Sequence, residues 1–298
     1  MRKKILHLIR SPFTIYPFDR WLASLMKICS ERNLLRKFIP ANDRFKAGTM
    51  RTCRRGGINY FLDISDYQSW LIYFSSGADS SLSIAKYAKK GDYIFDIGGN
   101  IGQTALTLSH IVGAEGKIIC FEPYPDTLVR LNHNLSLNQE NNNIDVVEVG
   151  LGDAPGSFIM YQDCVTNSGA NRIMPRGADN LPGMKTIEIS TLDIVANSLN
   201  LKKLDIIKID VEGFEYRVLK GGYEVINKFK PNIYLEIDQN NLEKQGDSVD
   251  KIFSFLNLLG YEIIDVQNDR SVVDFQYLVD THTDIYCTIS SKQRGLKS

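Results

Sequence analysis

The chain has 298 residues, with 35 Lys and Arg against 35 Asp and Glu, and 43% of its residues are hydrophobic. This length suffices for one large domain or for a domain with an extension, and the composition excludes a disordered, collagen-like or low-complexity chain. The longest uncharged run, residues 97–114, is rich in Gly, Asn, Gln, Thr and Ser, so we expect no transmembrane segment.

The N-terminal part of the chain is strongly basic. Residues 1–55 carry 14 Lys and Arg and only three acidic residues, and the rest of the chain is acidic by the same margin. Apolar residues recur at helical spacing over residues 21–29 and again over 34–39, which predicts a basic helical extension over residues 1–55. Its charges either face water or attract an anionic partner, such as a membrane surface, an acidic glycan or RNA.

After the basic segment, the sequence predicts a turn at residues 55–59, a strand over 60–64 and a helix over 80–90. Apolar strands and amphipathic helices then alternate. Seven strands are predicted, at residues 93–97, 117–121, 145–149, 204–209, 232–237, 261–266 and 284–289. Helices are predicted at residues 102–112, 126–138, 214–229 and 248–259.

This alternation predicts an α/β fold with a doubly wound, mostly parallel, seven-stranded sheet of Rossmann-like type. The last two strands have no helix between them, so we expect them to pair antiparallel at one edge. The domain would cover residues 56–298. Residues 154–200 would form an insertion facing the substrate, because the carboxyl ends of parallel strands carry the ligand sites of such sheets.

The first of these strands runs into a helix through a glycine-rich turn. A dinucleotide fingerprint counted from Gly98 would need glycines where Asn100 and Gln103 stand, so that motif is absent. Asp96, a carboxylate at the strand tip, suits a cationic ligand better than a pyrophosphate. The turn from Asp96 to Gly102 is therefore suited to the amino-acid end of S-adenosylmethionine.

Acidic residues also follow the next two strands. Glu122 stands twenty residues beyond Gly102 and could accept hydrogen bonds from both ribose hydroxyls of a nucleoside. NAD sites and S-adenosylmethionine sites share this feature. Asp153 could accept from the adenine amino group, although a plain turn explains its presence nearly as well.

Further carboxylates follow the fourth and fifth strands. Asp210 and Glu212 end the fourth strand, and Glu236 and Asp238 end the fifth, so these groups are expected to converge. Two neighbouring carboxylates can form a base for a hydroxyl proton, for which Asp210 and Glu212 are the candidates. Alternatively, Asp210, Asp238 and Asn240 could bind Mg²⁺, or Glu212 could cap the following helix. We favour the base and expect no resident metal.

Taken together, these motifs resemble the FkbM family of S-adenosylmethionine-dependent methyltransferases over about residues 57–240. The similarity lies in residues 93–122, 134–138, 150–156, 191–193, 207–213 and 230–231. The family usually has Ala where this chain has Gly99. The first 55 residues lie outside the resemblance.

The resemblance implies a class I methyltransferase fold and methyl transfer to a hydroxyl of a sugar, a glycan or a polyketide-like small molecule. By motif matching, the cofactor would be held by Asp96, Gly98, Asn100, Gly102 and Glu122. Asp210 and Glu212 would face the acceptor.

An alternative is an RNA methyltransferase that uses the basic N-terminal segment. Enzymes that methylate nucleic-acid amino groups carry an Asn/Asp-Pro-Pro-Tyr-like motif after the fourth strand, where this chain has Asp-Val-Glu-Gly. The five cysteines include no Cys-x-x-Cys pair, which favours reduced thiols and a cytoplasmic protein.

Overall fold

The computed structural model describes residues 9–26, 34–75, 80–140, 142–162, 164, 166–174, 181–279 and 282–289. Parts of the predicted N-terminal extension (residues 1–8 and 27–33) and of the predicted insertion (163, 165 and 175–180) lie outside the described residues. The strands are β1 (Met50–Arg55), β2 (Ile58–Asp63), β3 (Tyr93–Ile97), β4 (Lys117–Phe121), β5 (Ile144–Val147), β6 (Gly150–Leu151), β7 (Gly156–Gln162), β8 (Asn171–Ile173), β9 (Lys185–Ser190), β10 (Ile206–Ile209), β11 (Asn232–Asp238), β12 (Tyr261–Asp265), β13 (Arg270–Ser271) and β14 (His282–Ile289).

The α-helices are α1 (Phe18–Met26), α2 (Tyr67–Phe74), α3 (Gln103–Val112), α4 (Pro125–Ser136), α5 (Leu192–Ser198), α6 (Glu215–Gly221), α7 (Tyr223–Phe229), α8 (Gln239–Lys244), α9 (Val249–Leu258) and α10 (Gln276–Val279). Short 3-10 helices cover Ser11–Thr14, Leu34–Phe38, Asn42–Arg44, Ser80–Lys86 and Ser168–Ala170. No described helix is long and apolar enough to cross a bilayer.

The central sheet has the strand order β13-β12-β14-β11-β10-β3-β4-β5. The five strands from β11 to β5 are mutually parallel, and β12 and β14 pair antiparallel, which confirms the predicted α/β fold. The seven predicted strands are all present, and β13 adds a two-residue eighth strand at one edge. Strand order reverses between β3 and β10, and that switch point is where such sheets bind ligands.

Helices cover both faces of this sheet because its strands are apolar on both sides. One buried cluster joins Phe95 and Ile97 of β3 to α5–α9, and another joins Ile94 of β3 to α3 and α4. The helix predicted over residues 214–229 is divided into α6 and α7. Gly221, the last residue of α6, lies against the turn after β6. A Cβ on Gly221 would lie 2.0 Å from the Gly152 carbonyl oxygen, so a larger residue would force the helix away from that turn.

The N-terminal residues pack against the sheet through the β1–β2 hairpin. The expected domain boundary after residue 55 falls in the turn of this hairpin. Leu22 and Met26 of α1 are buried in one cluster with Leu62 of β2 and Leu106 of α3. The basic segment therefore shares a hydrophobic core with the rest of the chain.

Two asparagines of the α4 region hold the edge of the hairpin as a neighbouring strand would. The Asn138 amide accepts from the Asn59 backbone N–H at 2.8 Å and donates to the Asn59 carbonyl at 2.8 Å. The Asn134 amide accepts from the Phe61 N–H at 2.8 Å and donates to the Ile101 carbonyl at 2.9 Å. Asn134 thus joins the hairpin to the glycine-rich turn.

Replacing Asn134 with Leu should lower the free energy of unfolding by about 2–4 kcal/mol, because two backbone groups would lose their partners inside the protein. Urea denaturation followed by circular dichroism measures this. Asn197→Leu, at an exposed position on α5, is the control and should stay within about 0.5 kcal/mol of the wild type. Equal effects of the two substitutions would show that the Asn134 bridge contributes nothing to stability.

Three strands of the predicted insertion, β7, β8 and β9, join the preceding β6 in a second sheet with the order β6-β9-β7-β8. It begins directly after the third parallel strand, so it stands at the carboxyl-end edge of the central sheet. Asp66 links it to the N-terminal part, because its carboxylate accepts from the backbone N–H of Ser168. This sheet supplies one wall of the cleft described next.

Candidate active site

A cleft with about 840 Å³ of space, open to solvent, lies at the carboxyl ends of the parallel strands. Its apolar walls include Phe121, Leu151, Ile187 and Phe214. Its lining holds four carboxylates, Glu122, Asp210, Glu212 and Glu236, and no Lys, Arg or His among the described residues.

The glycine-rich turn forms the floor of the cleft and depends on unusual backbone geometry. Gly98 has φ +85°, and a Cβ there would lie 1.9 Å from the Asp210 carbonyl oxygen. Asn100 is also left-handed, with φ +46°, a conformation that Asn tolerates better than most residues. Both of these residues line the cleft. Gly102 begins α3 with φ +89°, and it lies outside the lining because its position faces Leu131.

The Glu122 carboxylate binds a backbone N–H group of the glycine-rich turn and also lines the cleft. One carboxylate oxygen accepts from the Asn100 N–H at 3.0 Å, and the other accepts from the Tyr124 N–H at 2.9 Å. Burial raises the pKa of Glu122 to about 7. Each oxygen keeps a second lone pair, so Glu122 can still accept from a ligand hydroxyl.

Asp96 lies beneath the floor, with no exposed surface, and does not line the cleft. It stands opposite Lys208 in the β3–β10 register, and the Lys208 ammonium is 3.5 Å from Asp96 and 3.2 Å from Asp210. The same ammonium donates to the Gly98 carbonyl at 3.0 Å. Sequence analysis did not single out Lys208, which lies in an otherwise apolar strand.

The charges beneath the floor act on each other strongly because they are buried. Burial disfavours the charged form of Lys208, but Asp210 and Asp96 outweigh it and raise the pKa of the ammonium group above its usual value. Burial raises the pKa of Asp96, and Lys208 opposes that rise. Lys208 therefore connects the strand tip, the glycine turn and Asp210 through one cation.

Glu236 is the carboxylate most affected by its neighbours. Repulsion from Asp210, followed by burial, raises the pKa of Glu236 to about 8. His282 lies 3.0 Å from Glu236 and 3.1 Å from Asp238, and its hydrogen bond to Glu236 raises the pKa of the imidazole to about 9. A carboxylate whose pKa lies near neutral pH can serve as a base once it has lost its proton.

Glu212 also lines the cleft, but protein groups hold its carboxylate. Its Oε2 atom accepts from Arg172 of β8 at 2.9 Å and from the Asn241 amide at 2.9 Å. Its backbone is left-handed, with φ +54°. Glu212 does not cap α6, whose N-terminus has no side-chain cap, and the Glu215 carboxylate instead accepts from the N–H groups of residues 211 and 213 in the preceding loop.

Asp238 is engaged in structural contacts and is not oriented as part of a metal site. Its carboxylate caps α8 by accepting from the Asn241 N–H at 3.1 Å and also contacts His282. Within the described part of the chain, no group of three His, Cys, Asp or Glu side chains has the geometry to hold a metal ion. Asp238, one of the three residues of the alternative Mg²⁺ site, is thus held by Asn241 and His282.

The structure brings five of the sequence-predicted site residues to the cleft: Gly98, Asn100, Glu122, Asp210 and Glu212. It does not bring Asp153 there. The Asp153 carboxylate lies 3.0 Å from the Lys220 ammonium of α6. Sequence analysis missed Gln68, Ser168 and Asn171, which line the cleft from the N-terminal part and the second sheet.

Comparison with known proteins gives consistent results. Residues 96–263 match the methyltransferase FkbM domain. Hexuronic acid methyltransferase AglP of Haloferax volcanii is 26% identical over 160 residues, which are 53% of this chain and 62% of that protein. Methyltransferase sdnD of Sordaria araneosa is 26% identical over 203 residues, which are 58% of this chain and 76% of that protein.

Among solved structures, the chain is similar to the methyltransferase FkbM of Methylobacillus flagellatus. The TM-score is 0.44 at 16% identity, and the similarity covers 74% of this chain and 55% of that chain. The chain therefore spans less than two thirds of the length of AglP and of this solved protein.

Proposed function

The chain belongs to the FkbM methyltransferase family, and from this premise we propose that it moves a methyl group from S-adenosylmethionine to a hydroxyl oxygen. The acceptor would be a sugar, a glycan or a polyketide-like small molecule. The single observation that carries the proposal is the charge of the cleft, whose described lining has four carboxylates and no basic side chain. Lys208, Arg172 and His282 pair with three of these carboxylates from outside the lining, so the surface that faces a ligand presents carboxylate oxygens and no cation, which suits a cationic nucleoside better than a pyrophosphate.

The residues of the cleft fit S-adenosylmethionine. Gly98 lacks a side chain, so the turn can pack against the Asp210 carbonyl and present its main chain to the cleft. Glu122 keeps free lone pairs for ribose hydroxyls, and the apolar walls suit an adenine ring. When bound, this cofactor supplies an electrophilic methyl group on a sulfonium centre.

The proton acceptor in this proposal is the pair Asp210 and Glu236. Both line the cleft, and mutual repulsion brings the pKa of Glu236 close to neutral pH, where a base is most effective. The pair would take the proton of the acceptor hydroxyl as its oxygen forms the new bond to carbon. Glu212, fixed by Arg172 and Asn241, would orient the acceptor.

A sugar acceptor is supported by the relative AglP, which is named a hexuronic acid methyltransferase. RNA, the alternative acceptor, is less well suited to this cleft, because four carboxylates would repel its phosphates. The cytoplasm stays our proposal for the compartment. It rests on the dispersed spacing of the five cysteines, which include no Cys-x-x-Cys pair.

Isothermal titration calorimetry tests the proposal. We expect S-adenosylmethionine and S-adenosylhomocysteine to bind in the cleft, whereas NADH, which brings a pyrophosphate, should give no heat of binding. Transfer of a labelled methyl group to a panel of sugars and glycans would then identify the acceptor. Saturation by NADH without binding of S-adenosylmethionine would overturn the proposal.

A further inference from the structure

The outer side of α1 and the turn before it form an exposed apolar surface. It consists of Ile15, Tyr16, Phe18 and Trp21, which are 60%, 54%, 52% and 56% exposed, and we call it the aromatic face. The opposite side of α1 is buried in the core. Phe13 stacks on Trp21 with ring centroids 6.3 Å apart, so the indole is held in place although it faces outward. A contiguous apolar surface of this kind indicates an interaction site.

Basic side chains are interspersed with the aromatic face. Arg20 donates to the Tyr16 hydroxyl at 3.1 Å, and the Arg51 guanidinium lies 5.3 Å from the Tyr16 ring centroid. The described residues 9–26 and 34–55 hold nine basic residues and two acidic ones. Of those two, Asp19 is fully buried and paired with Arg51, and Asp43 lies 3.7 Å from Arg44. The described part of this segment therefore carries a net positive charge.

A second cavity, which we call the arginine cavity, lies between α1 and the β1–β2 hairpin, with about 1000 Å³ of space open to solvent. Arg20, Arg54 and Arg55 line it together with the hydroxyl groups of Ser24 and Thr52. Its described lining includes no Asp or Glu. Three guanidinium groups without a carboxylate are suited to hold an anion such as a phosphate.

Arg55 gives independent evidence that this cavity holds a positive charge without a counter-charge. Arg55 is 8% exposed, and within the described residues its guanidinium donates to main-chain carbonyl groups alone, those of residues 23, 54 and 73. Its Nε atom has no partner within the described part of the chain. A buried charge normally has a counter-charge, so this guanidinium favours an anion in the adjoining space.

We propose that the aromatic face and the arginine cavity together dock the protein on a bilayer surface that contains anionic lipids. Trp, Tyr and Phe side chains favour the headgroup region of a bilayer, and basic residues attract its anionic lipids. The aromatic face would enter that region, while Arg20 and Arg54 bind a lipid phosphate. The exposed aliphatic side chain of Ile15 favours a lipid over a nucleic acid. Transfer of this side chain from water into an apolar environment is favourable, and a bilayer offers that environment.

Vesicle flotation with the full chain tests this. We expect binding to phosphatidylcholine vesicles that contain about a third phosphatidylserine, much weaker binding to pure phosphatidylcholine, and partial release at high salt. The double variant Arg20→Gln/Arg54→Gln should weaken binding about 30-fold. The double variant Phe18→Ser/Trp21→Ser should weaken it about tenfold or more, including at high salt. All four side chains are exposed, so the fold should persist.

The matched controls carry the same changes elsewhere on the surface. Lys228→Gln/Lys244→Gln removes two exposed cations, and Leu258→Ser/Val273→Ser removes two side chains that are 76% and 87% exposed. Both controls should bind vesicles as the wild type does. Equal losses in controls and test variants, or equal binding to neutral and anionic vesicles, would overturn the proposal. The proposal would be overturned in favour of a nucleic-acid partner if single-stranded RNA displaced the protein from vesicles and Phe18→Ser/Trp21→Ser bound vesicles as the wild type does.

Discussion

Replacing Asp210 with Asn should lower the turnover number about 10²–10⁴-fold while S-adenosylmethionine still binds. The substitution keeps the shape of the side chain but removes one carboxylate of the pair that would take the hydroxyl proton. Lys208 keeps its second anionic partner, Asp96, so the floor of the cleft should stay in place. Steady-state kinetics and calorimetry with the cofactor measure the two effects separately.

The pH profile gives a second measurement on the same variant. Activity of the wild type requires the deprotonated pair, so it should rise with pH and be lost as the pH falls through about 8, the pKa of Glu236. Asp210 is the largest cause of that raised pKa. In Asp210→Asn, the residual activity should therefore be lost only at a lower pH.

The control for this variant is Asp126→Asn, which removes an exposed carboxylate of α4. Its turnover and its pH profile should match those of the wild type. Unchanged turnover in Asp210→Asn would exclude Asp210 as a proton acceptor. A parallel loss of cofactor affinity would instead assign it to binding.

Replacing Gly98 with Ala should abolish measurable cofactor binding and with it activity. The new methyl carbon would lie 1.9 Å from the Asp210 carbonyl oxygen, so the turn and the end of β10 would have to separate. Such a movement would also break the hydrogen bond from Lys208 to the Gly98 carbonyl. We expect the free energy of unfolding to fall by about 3 kcal/mol or more, from the clash and the left-handed backbone together.

Gly91→Ala is the matched control, because the two glycines share nearly the same backbone conformation. Gly91 has φ +83° against +85° for Gly98, but nothing lies within 4 Å of a Cβ at Gly91. This control should lose only about 1–2 kcal/mol, the cost of a left-handed alanine, and should bind the cofactor normally. Similar losses of stability and of binding in both variants would show that the contact with Asp210 has no special role.

The amino-acid sequence was sufficient to predict the central sheet and the residues at its strand ends. Parallel strands bring their carboxyl ends to one edge, so Glu122 and Asp210 could be expected together from the strand pattern alone. The roles of Arg172 and His282 could not be predicted in this way. Arg172 reaches Glu212 from the second sheet, and His282 reaches Glu236 from an antiparallel strand, and local patterns do not fix either register.

Asp153 and Lys208 show two ways in which the sequence pattern falls short: it indicated a site role for Asp153, which does not line the cleft, and it did not indicate Lys208, which lies beneath the floor of the cleft. Asp153 follows the third strand as expected, but its carboxylate pairs with Lys220 of α6, because α6 packs beside the turn that holds it. Lys208 stands inside a strand with apolar neighbours, where a lysine gives no sign of function by itself. Only the register of β3 and β10 shows that it lies opposite Asp96.

The amide of Asn134 forms hydrogen bonds with both the hairpin and the glycine turn. The hairpin precedes, in the sequence, the residues that match the family. We therefore expect a ligand that orders the turn also to favour the attached hairpin, and by reciprocity a well-packed N-terminal region to favour an occupied cleft. Events at the two ends of this amide are thus thermodynamically linked, even though no ligand would touch both.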